Sequence, residues 1–178
     1  MIHKETPSIR TRPWLTGDVG YREHVTSFDV DAVGYLVESA GVFSESEKKL
    51  AVELVKERLE KGIESGYLFL FGETAGGLLG YACFGPIPCT ADSYDLYWIV
   101  VSDACKGSGL AERLLEKTEG IISAEGGGKV YVETSMRDEY ARSRRFYSKN
   151  GYRMEAVLED FYAPDDHKAI FVKNIGQR

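Results

Sequence analysis

The stretch Ile99-Val100-Val101-Ser102-Asp103-Ala104-Cys105-Lys106-Gly107-Ser108-Gly109-Leu110-Ala111 decides how this chain is read. Three β-branched residues end a strand, a turn with two glycines follows, and a helix starts at once. A helix that begins directly behind such a turn leaves its first N–H groups unpaired and aimed at one spot. That arrangement is an anion site, suited to phosphate or pyrophosphate, and Lys106 and Ser108 add a positive charge and a hydroxyl. The alternative is a strand-to-helix turn that uses glycine for geometry alone. Two nucleotide loops fail on residues. A Walker loop needs G-x-x-x-x-G-K-[ST], whereas the order here is Lys106-Gly107-Ser108 with no matching glycine upstream. A dinucleotide fingerprint needs Gly or Ala where Glu112 stands.

Outward from this stretch, hydrophobic periodicity lays out one mixed α/β domain. Residues 1–19 mix Pro7, Pro13 and Gly17 with polar residues and read as an N-terminal extension pinned by Trp14 and Leu15; the domain occupies residues 20–178. Arg22–Ser27 is expected as a short strand, with Asp29 or Asp31 as N-cap of a helix through Ala40. Ser44 and Glu47 have capping-box spacing, and Leu50, Leu54, Val55 and Leu59 follow at helical intervals until Gly62. Tyr67–Gly72 and Leu78–Phe84 read as a hairpin around residues 73–77, and Tyr94–Ser102 as the next strand. Leu110–Ser123 is predicted helical, Lys129–Thr134 a strand, and Glu139–Asn150 a helix closed by Gly151. Tyr152–Glu159 and Ala169–Lys173 are the last strands, around Ala163-Pro164-Asp165-Asp166.

The chain has 178 residues, about one domain's worth, of which 43% are hydrophobic. No run reaches the roughly 18 apolar residues of a membrane span, and the first residues carry no apolar signal core. A formal charge of -6 argues against nucleic acid as a partner and favours cationic ligands weakly. Cys83, Cys89 and Cys105 are odd in number and have no C-x-x-C spacing, which speaks against disulfides or a zinc site and suits a reducing cytoplasm. His3, His24 and His167 are scattered and suggest no metal.

The loop after Ile99-Val100-Val101 resembles the acyl-CoA motif of the GCN5-related N-acetyltransferase (GNAT) superfamily, written Q/R-x-x-G-x-G/A, with Gly107 and Gly109 on its two small positions. Arg144-Arg145-Phe146-Tyr147-Ser148-Lys149-Asn150-Gly151-Tyr152 resembles that family's second signature, a helix with F-Y followed by an aromatic after glycine. The likeness runs from about residue 20 to the C-terminus. It implies a central, mostly antiparallel twisted sheet with helices on both faces, in which two adjacent parallel strands splay apart. It implies acetyl-CoA as co-substrate, held by the strand amides of Ile99, Val100 and Val101 and by Lys106, Gly107, Ser108, Gly109, Leu110 and Ala111. Ala104 stands where the family has Gln or Arg, so backbone amides are expected to carry the phosphate contact with weaker binding. Tyr140 is the stand-in for a CoA-contacting Asn that this chain lacks after Thr134.

The activity implied is transfer of an acetyl group to a primary amine by direct attack in a ternary complex. The acceptor is a small molecule, an amino-acid derivative or a peptide N-terminus. Tyr147 matches the family's tyrosine that protonates the departing sulfur, and Glu133 matches the base of some N-terminal-amine acetyltransferases. Against these stand two structural readings: Tyr147 packs beside Phe146, and Glu133 faces solvent or makes an ion pair. Asp95 and Tyr97 are the next candidates, as base or as acceptor contacts. Arg142, Arg144 and Arg145 reach CoA phosphates or form ordinary surface. A sensor that kept the cleft and lost turnover is the competing class; Ala104 keeps it open, and Glu133 with Tyr147 argues against it. Members of the family often pair, so a homodimer is one expected state.

Overall fold

The computed structural model describes residues 18–176. In chain order the elements are β1 (Gly20–Arg22), α1 (Phe28–Ala40), α2 (Glu45–Lys61), β2 (Leu68–Thr74), β3 (Gly77–Pro86), β4 (Ser93–Val101), α3 (Leu110–Ala124), β5 (Lys129–Ser135), α4 (Ala141–Lys149), β6 (Arg153–Ala163) and β7 (Asp166–Asn174). Seven strands form one sheet in the order β1-β2-β3-β4-β5-β7-β6. All neighbours are antiparallel except β4 and β5. Strand alternation sends side chains to two separate cores. On one face Leu96, Val132 and Phe171 pack against Leu110, Leu114, Leu115 and Ile122 of α3 and Tyr147 of α4. On the other, Phe69, Phe71, Tyr81 and Val100 pack against Val33, Leu36 and Val37 of α1 and Leu54 and Val55 of α2. The mixed α/β class and the helices on both faces are as the sequence indicates.

Several boundaries move for identifiable reasons. The first strand runs from Gly20 to Arg22 rather than from Arg22 to Ser27, and the side chain of Arg22 enters an ion-pair network. Its guanidinium donates to Asp29 Oδ1 and Oδ2 at 2.8 and 3.0 Å and to Glu73 Oε1 and Oε2 at 3.1 and 2.9 Å. Asp29 lies inside the first turn of α1 rather than at its N-cap, and there it accepts the N–H and hydroxyl of Thr26. In α2 the capping box of Ser44 and Glu47 is formed. The buried stripe, however, is Ala51, Leu54 and Val55, with Leu50 and Leu59 at 45% and 39% exposure on either side of it. The C-terminal hairpin is longer than expected and turns tightly at Pro164-Asp165, where Asp165 takes a positive φ. Trp14 and Leu15 lie outside the described residues, while Val19 packs against the α3 core.

The Arg22 network ties β1, β2 and the start of α1 together, and Asp29 is only 3% exposed. Burial alone pushes the Asp29 carboxyl up, but hydrogen bonds from Arg22 and Thr26 outweigh it and hold its pKa below the ordinary value. Asp29→Asn is therefore expected to cost about 3 kcal/mol at pH 7, because the guanidinium loses its most buried counter-ion. A carboxyl with a lowered folded pKa contributes stability that is present above its unfolded value of about 3.9 and lost in acid. The gap between wild type and variant in urea unfolding should then close as the pH falls below that value.

Candidate functional site

The parallel pair β4·β5 is the feature that builds a site. Its ladder has three partners, Ser93↔Lys129, Tyr94↔Val130 and Asp95↔Tyr131, and then stops. β4 nevertheless runs on to Val101 and β5 to Ser135, so two strands diverge with no ladder between them. A β-bulge explains the divergence. In the pairing with β3, Cys83 opposes Trp98 and Phe84 opposes Leu96, which leaves Tyr97 as an extra residue on β4. Bulges bend a strand and increase its twist, and this one turns β4 away from β5 two residues after their last pair. The bulge also exchanges faces: Leu96 belongs to the α3 core, whereas Trp98 and Val100 pack on the α1/α2 side.

At the end of β4 the chain passes through a 3₁₀ turn, Asp103–Cys105, and a loop into α3. Gly107 and Gly109 both adopt φ +77°, a region that L side chains avoid, and a Cβ on Gly107 would meet nothing within 4 Å. Among the described residues no protein group accepts the N–H of Gly107, Gly109, Ala111 or Glu112. The carbonyl of Ser108 is taken by Arg113 Nη1 at 3.2 Å, and Ser108 Oγ accepts the N–H of Leu110 at 3.3 Å. Free amides at a helix N-terminus thus face open space, the physical requirement for an anion cradle.

These parts enclose a cleft of about 450 Å³. One wall is Ile99, Val100 and Val101, and the floor is Lys106, Gly107, Gly109, Leu110 and Ala111. Another wall is α4 with its C-cap Asn150, and α4 presents Arg142, Arg145, Phe146, Tyr147 and Lys149. Val42 and Phe43, from the connection between α1 and α2, close one end. The strand residues Ile99, Val100 and Val101, the loop and helix residues from Lys106 to Ala111 other than Ser108, and Tyr147 meet in this one cleft, as does the pair Arg142 and Arg145. Lys106 is there as an ion pair with Asp103. Ser108 does not line the cleft; its hydroxyl serves Leu110.

Tyr140 is not among the lining residues of the cleft. Its hydroxyl donates to Glu47 at 3.0 Å and contacts Val42 O at 3.4 Å, which secures the connection carrying Val42 and Phe43. Burial and then Glu47 push its hydroxyl up to about 12. The three neighbouring arginines also separate. Arg142 and Arg145 face the cleft, whereas Arg144 donates to the carbonyls of Ser135 and Arg137 and clamps the end of β5. The signal for this was available: Arg142, Arg145 and Lys149 follow a helical i, i+3, i+7 spacing that puts three cations on one face.

Tyr147 is 7% exposed and packs edge-on against Phe146 and Tyr152. Burial pushes its hydroxyl well above the ordinary value. Among the described residues that hydroxyl has no hydrogen-bond partner, yet it is not sealed as those of Tyr81 and Tyr152 are. Tyr147 is therefore both a core residue and a cleft residue.

Glu133 is placed elsewhere. Val130 and Val132 point into the α3 core, so alternation sends Glu133 to the α1/α2 face, together with Asp95 of β4. There Glu133 Oε2 accepts from Lys168 Nζ at 2.6 Å. Asp95 is half-buried, and its carboxyl is raised first by that burial and then by Glu133, with Lys168 opposing. Burial and then Asp95 lift the Tyr97 hydroxyl to about 12, and burial and then Glu133 do the same for Tyr162. The splay therefore has a cationic cleft on one side and a carboxylate-rich, aromatic surface on the other.

The sequence profile of the Acetyltransferase (GNAT) family matches residues 34–152. The chain belongs to this family. A protein described as a GNAT-family acetyltransferase from Desulfovibrio desulfuricans is 40% identical, with 89% of this chain and 99% of that chain covered and a TM-score of 0.87. The fold is shared with the Escherichia coli ribosomal-protein-S18-alanine N-acetyltransferase, at 18% identity, with 90% of this chain and 96% of that chain covered and a TM-score of 0.71. It is also shared with the PaiA N-acetyltransferase of Thermoplasma acidophilum in complex with coenzyme A, at 18% identity, with 89% of this chain and 99% of that chain covered and a TM-score of 0.68. No curated protein matches the sequence. The family profile ends at Tyr152 and thus includes the splay, the glycine loop and α4, the elements that line the cleft.

Proposed function

We propose that this GNAT protein is an acetyl-CoA-dependent N-acetyltransferase of primary amines. The observation that carries the reading is the cleft, where a splayed strand edge, a cradle of free amides and a cationic helix face meet Tyr147. The residues fit the co-substrate. Unpaired N–H groups at Gly107, Gly109, Ala111 and Glu112 suit pyrophosphate oxygens, and Arg142, Arg145 and Lys149 add charge. The unladdered edge of β4 from Ile99 to Val101 offers backbone groups to an amide-bearing arm, and one N–H there can take the oxyanion that forms on the carbonyl.

In the reaction the nitrogen lone pair of a neutral amine adds to the thioester carbonyl, the C–N bond forms and the C–S bond breaks. A carboxylate on the opposite side of the splay accepts the amine proton. Tyr147 gives its proton to the sulfur and regains one through solvent. Burial that keeps the proton on Tyr147 also destabilises a nascent thiolate beside it, so donor and acceptor stay matched. The acidic aromatic side favours acceptors that carry positive charge.

Thermal unfolding with acetyl-CoA, CoA, ATP and NADPH tests the donor site. A ligand at about 100 times its dissociation constant adds about 2.7 kcal/mol, which at this chain length raises the midpoint by several degrees. A shift with acetyl-CoA and CoA but not the controls is expected, and no shift at millimolar acetyl-CoA would overturn the reading. Turnover of an amine panel then separates an enzyme from a sensor. Arg145→Ala combined with Lys149→Ala should weaken CoA binding about tenfold and flatten its salt dependence, since both charges line the cleft. Titration calorimetry at low and high salt measures both.

A further inference from the structure

The acyl group is the end of an acyl-CoA farthest from its phosphates, and strand direction says what that end meets. β4 runs towards the glycine loop, so a donor with its phosphates at Gly107 and Gly109 lies back along Val101, Val100 and Ile99. The next residue in that direction is Trp98. After the bulge at Tyr97, Trp98 packs on the α1/α2 side, where the Phe43 ring stands edge-on to it with centroids 5.4 Å apart and planes at 78°. Phe43 also lines the cleft, beside Ala40 and Val42. An apolar aromatic wall therefore stands just beyond the strand edge that would hold the thioester.

The wall is held from three directions. Only Gly41, Val42 and Phe43 separate the last residue of α1 from Ser44, the N-cap of α2. Gly41 closes α1 in the left-handed region, and Ser44 with Glu47 forms the capping box of α2, so both ends of the connection are fixed. Tyr140, in the turn before α4, donates its hydroxyl to Glu47 Oε1 at 3.0 Å and lies 3.4 Å from Val42 O. The edge contact with Trp98 then orients the Phe43 ring itself. A connection this short and this well tied does not swing aside for a longer chain.

We propose that Phe43 sets the length of the acyl group this protein transfers, admitting acetyl and propionyl and rejecting six-carbon chains. Tyr140 is a positioning residue that acts through Glu47 and the α1–α2 connection. The inference rests on the acyl-CoA reading of the cleft and adds to it, because the glycine loop and the strand edge would hold any acyl-CoA alike. Selection is by shape: Ala40, Val42, Phe43, Ile99 and Val100 carry no charge or hydrogen-bonding side chain. A misfit of one methylene in an apolar pocket discriminates about 10–200-fold, and a hexanoyl chain exceeds acetyl by several.

The test uses the full chain with acetyl-, propionyl-, butyryl- and hexanoyl-CoA, each with spermidine, phenylethylamine and an alanyl tripeptide as acceptors. The readout is the ratio of kcat/KM between donors, together with the calorimetric dissociation constants of hexanoyl-CoA and of CoA. Wild type should use propionyl within about tenfold of acetyl and hexanoyl at least about 100-fold less well. Phe43→Ala should raise the hexanoyl-to-acetyl ratio at least about tenfold and tighten hexanoyl-CoA relative to CoA, with Phe43→Leu in between. Tyr140→Phe, which keeps the ring and loses the bond to Glu47, should raise the ratio about threefold, a change that a purely structural role would not produce. A wild type that takes hexanoyl as readily as acetyl overturns the inference. So does a folded Phe43→Ala protein whose acyl ratio is unmoved while its preference among the amines changes, since Phe43 then faces the acceptor. Transfer from none of the donors would overturn the acyl-transfer reading instead. The dissociation constants then judge the wall alone: an unchanged ratio of hexanoyl-CoA to CoA in Phe43→Ala overturns it, and a ratio moved towards hexanoyl-CoA upholds it.

Discussion

Replacing Tyr147 by phenylalanine is expected to lower kcat about 100-fold, the usual scale for loss of one general acid, with the dissociation constant of acetyl-CoA changed less than about twofold. The asymmetry follows from how Tyr147 is held. Its ring is fixed by edge contacts with Phe146 and Tyr152 and by Phe171, and phenylalanine keeps all three. Its hydroxyl bonds to no described residue, so deleting it breaks nothing in the resting fold. What disappears is a proton donor in the cleft, felt only when the C–S bond breaks. Steady-state kinetics with a thiol readout, paired with calorimetric titration of acetyl-CoA, measures both quantities. Equal losses in affinity and turnover would assign Tyr147 to packing alone.

Gly107→Val should act in the opposite way, raising the dissociation constant of acetyl-CoA about 100-fold. A β-branched residue at φ +77° is strained, and relieving that strain turns the peptide groups that form the cradle. The fold itself should lose only about 1–2 kcal/mol, because a Cβ at Gly107 meets no atom within 4 Å. Gly109 is the poorer choice for this test, since its Cβ would crowd Arg113 Nη1 at 3.3 Å and disturb the start of α3. A folded Gly107→Val protein that still gains several degrees of midpoint with acetyl-CoA would show that the loop amides do not hold the phosphates. The two substitutions thus test binding and reaction in the cleft separately.

Much of this molecule is written locally in its residues. The α2 capping box, the hairpin of Leu68–Thr74 with Gly77–Pro86, and the strand-loop-helix run through Gly107 and Gly109 all follow from groups a few positions apart. Local pattern is governed by backbone sterics and by 3.6- and 2-residue periods, so a linear reading captures it. The same holds for most of the cleft, because Ile99–Ala111 and Arg142–Asn150 are two short segments with their own signals. The side of α2 that is buried was less legible, since Leu50 and Leu59 are as apolar as Leu54 and only contact with α1 chooses among them.

What the tertiary structure alone decided involves residues far apart in the chain. The bulge at Tyr97 depends on how β3 registers against β4, and it opens the splay. Tyr140 is bonded to Glu47, 93 residues away, and does not line the cleft. Lys168 reaches Glu133 across 35 residues because β7 inserts between β5 and β6. No period or motif encodes such a meeting: a carboxylate on a strand reads the same whether it is free or paired. Its partner is set by sheet order, and sheet order minimises the free energy of the whole packed sheet rather than of any one segment. The family and its glycine loop were therefore readable from residues in a row, whereas the pairing of Lys168 with Glu133 was set by the folded sheet.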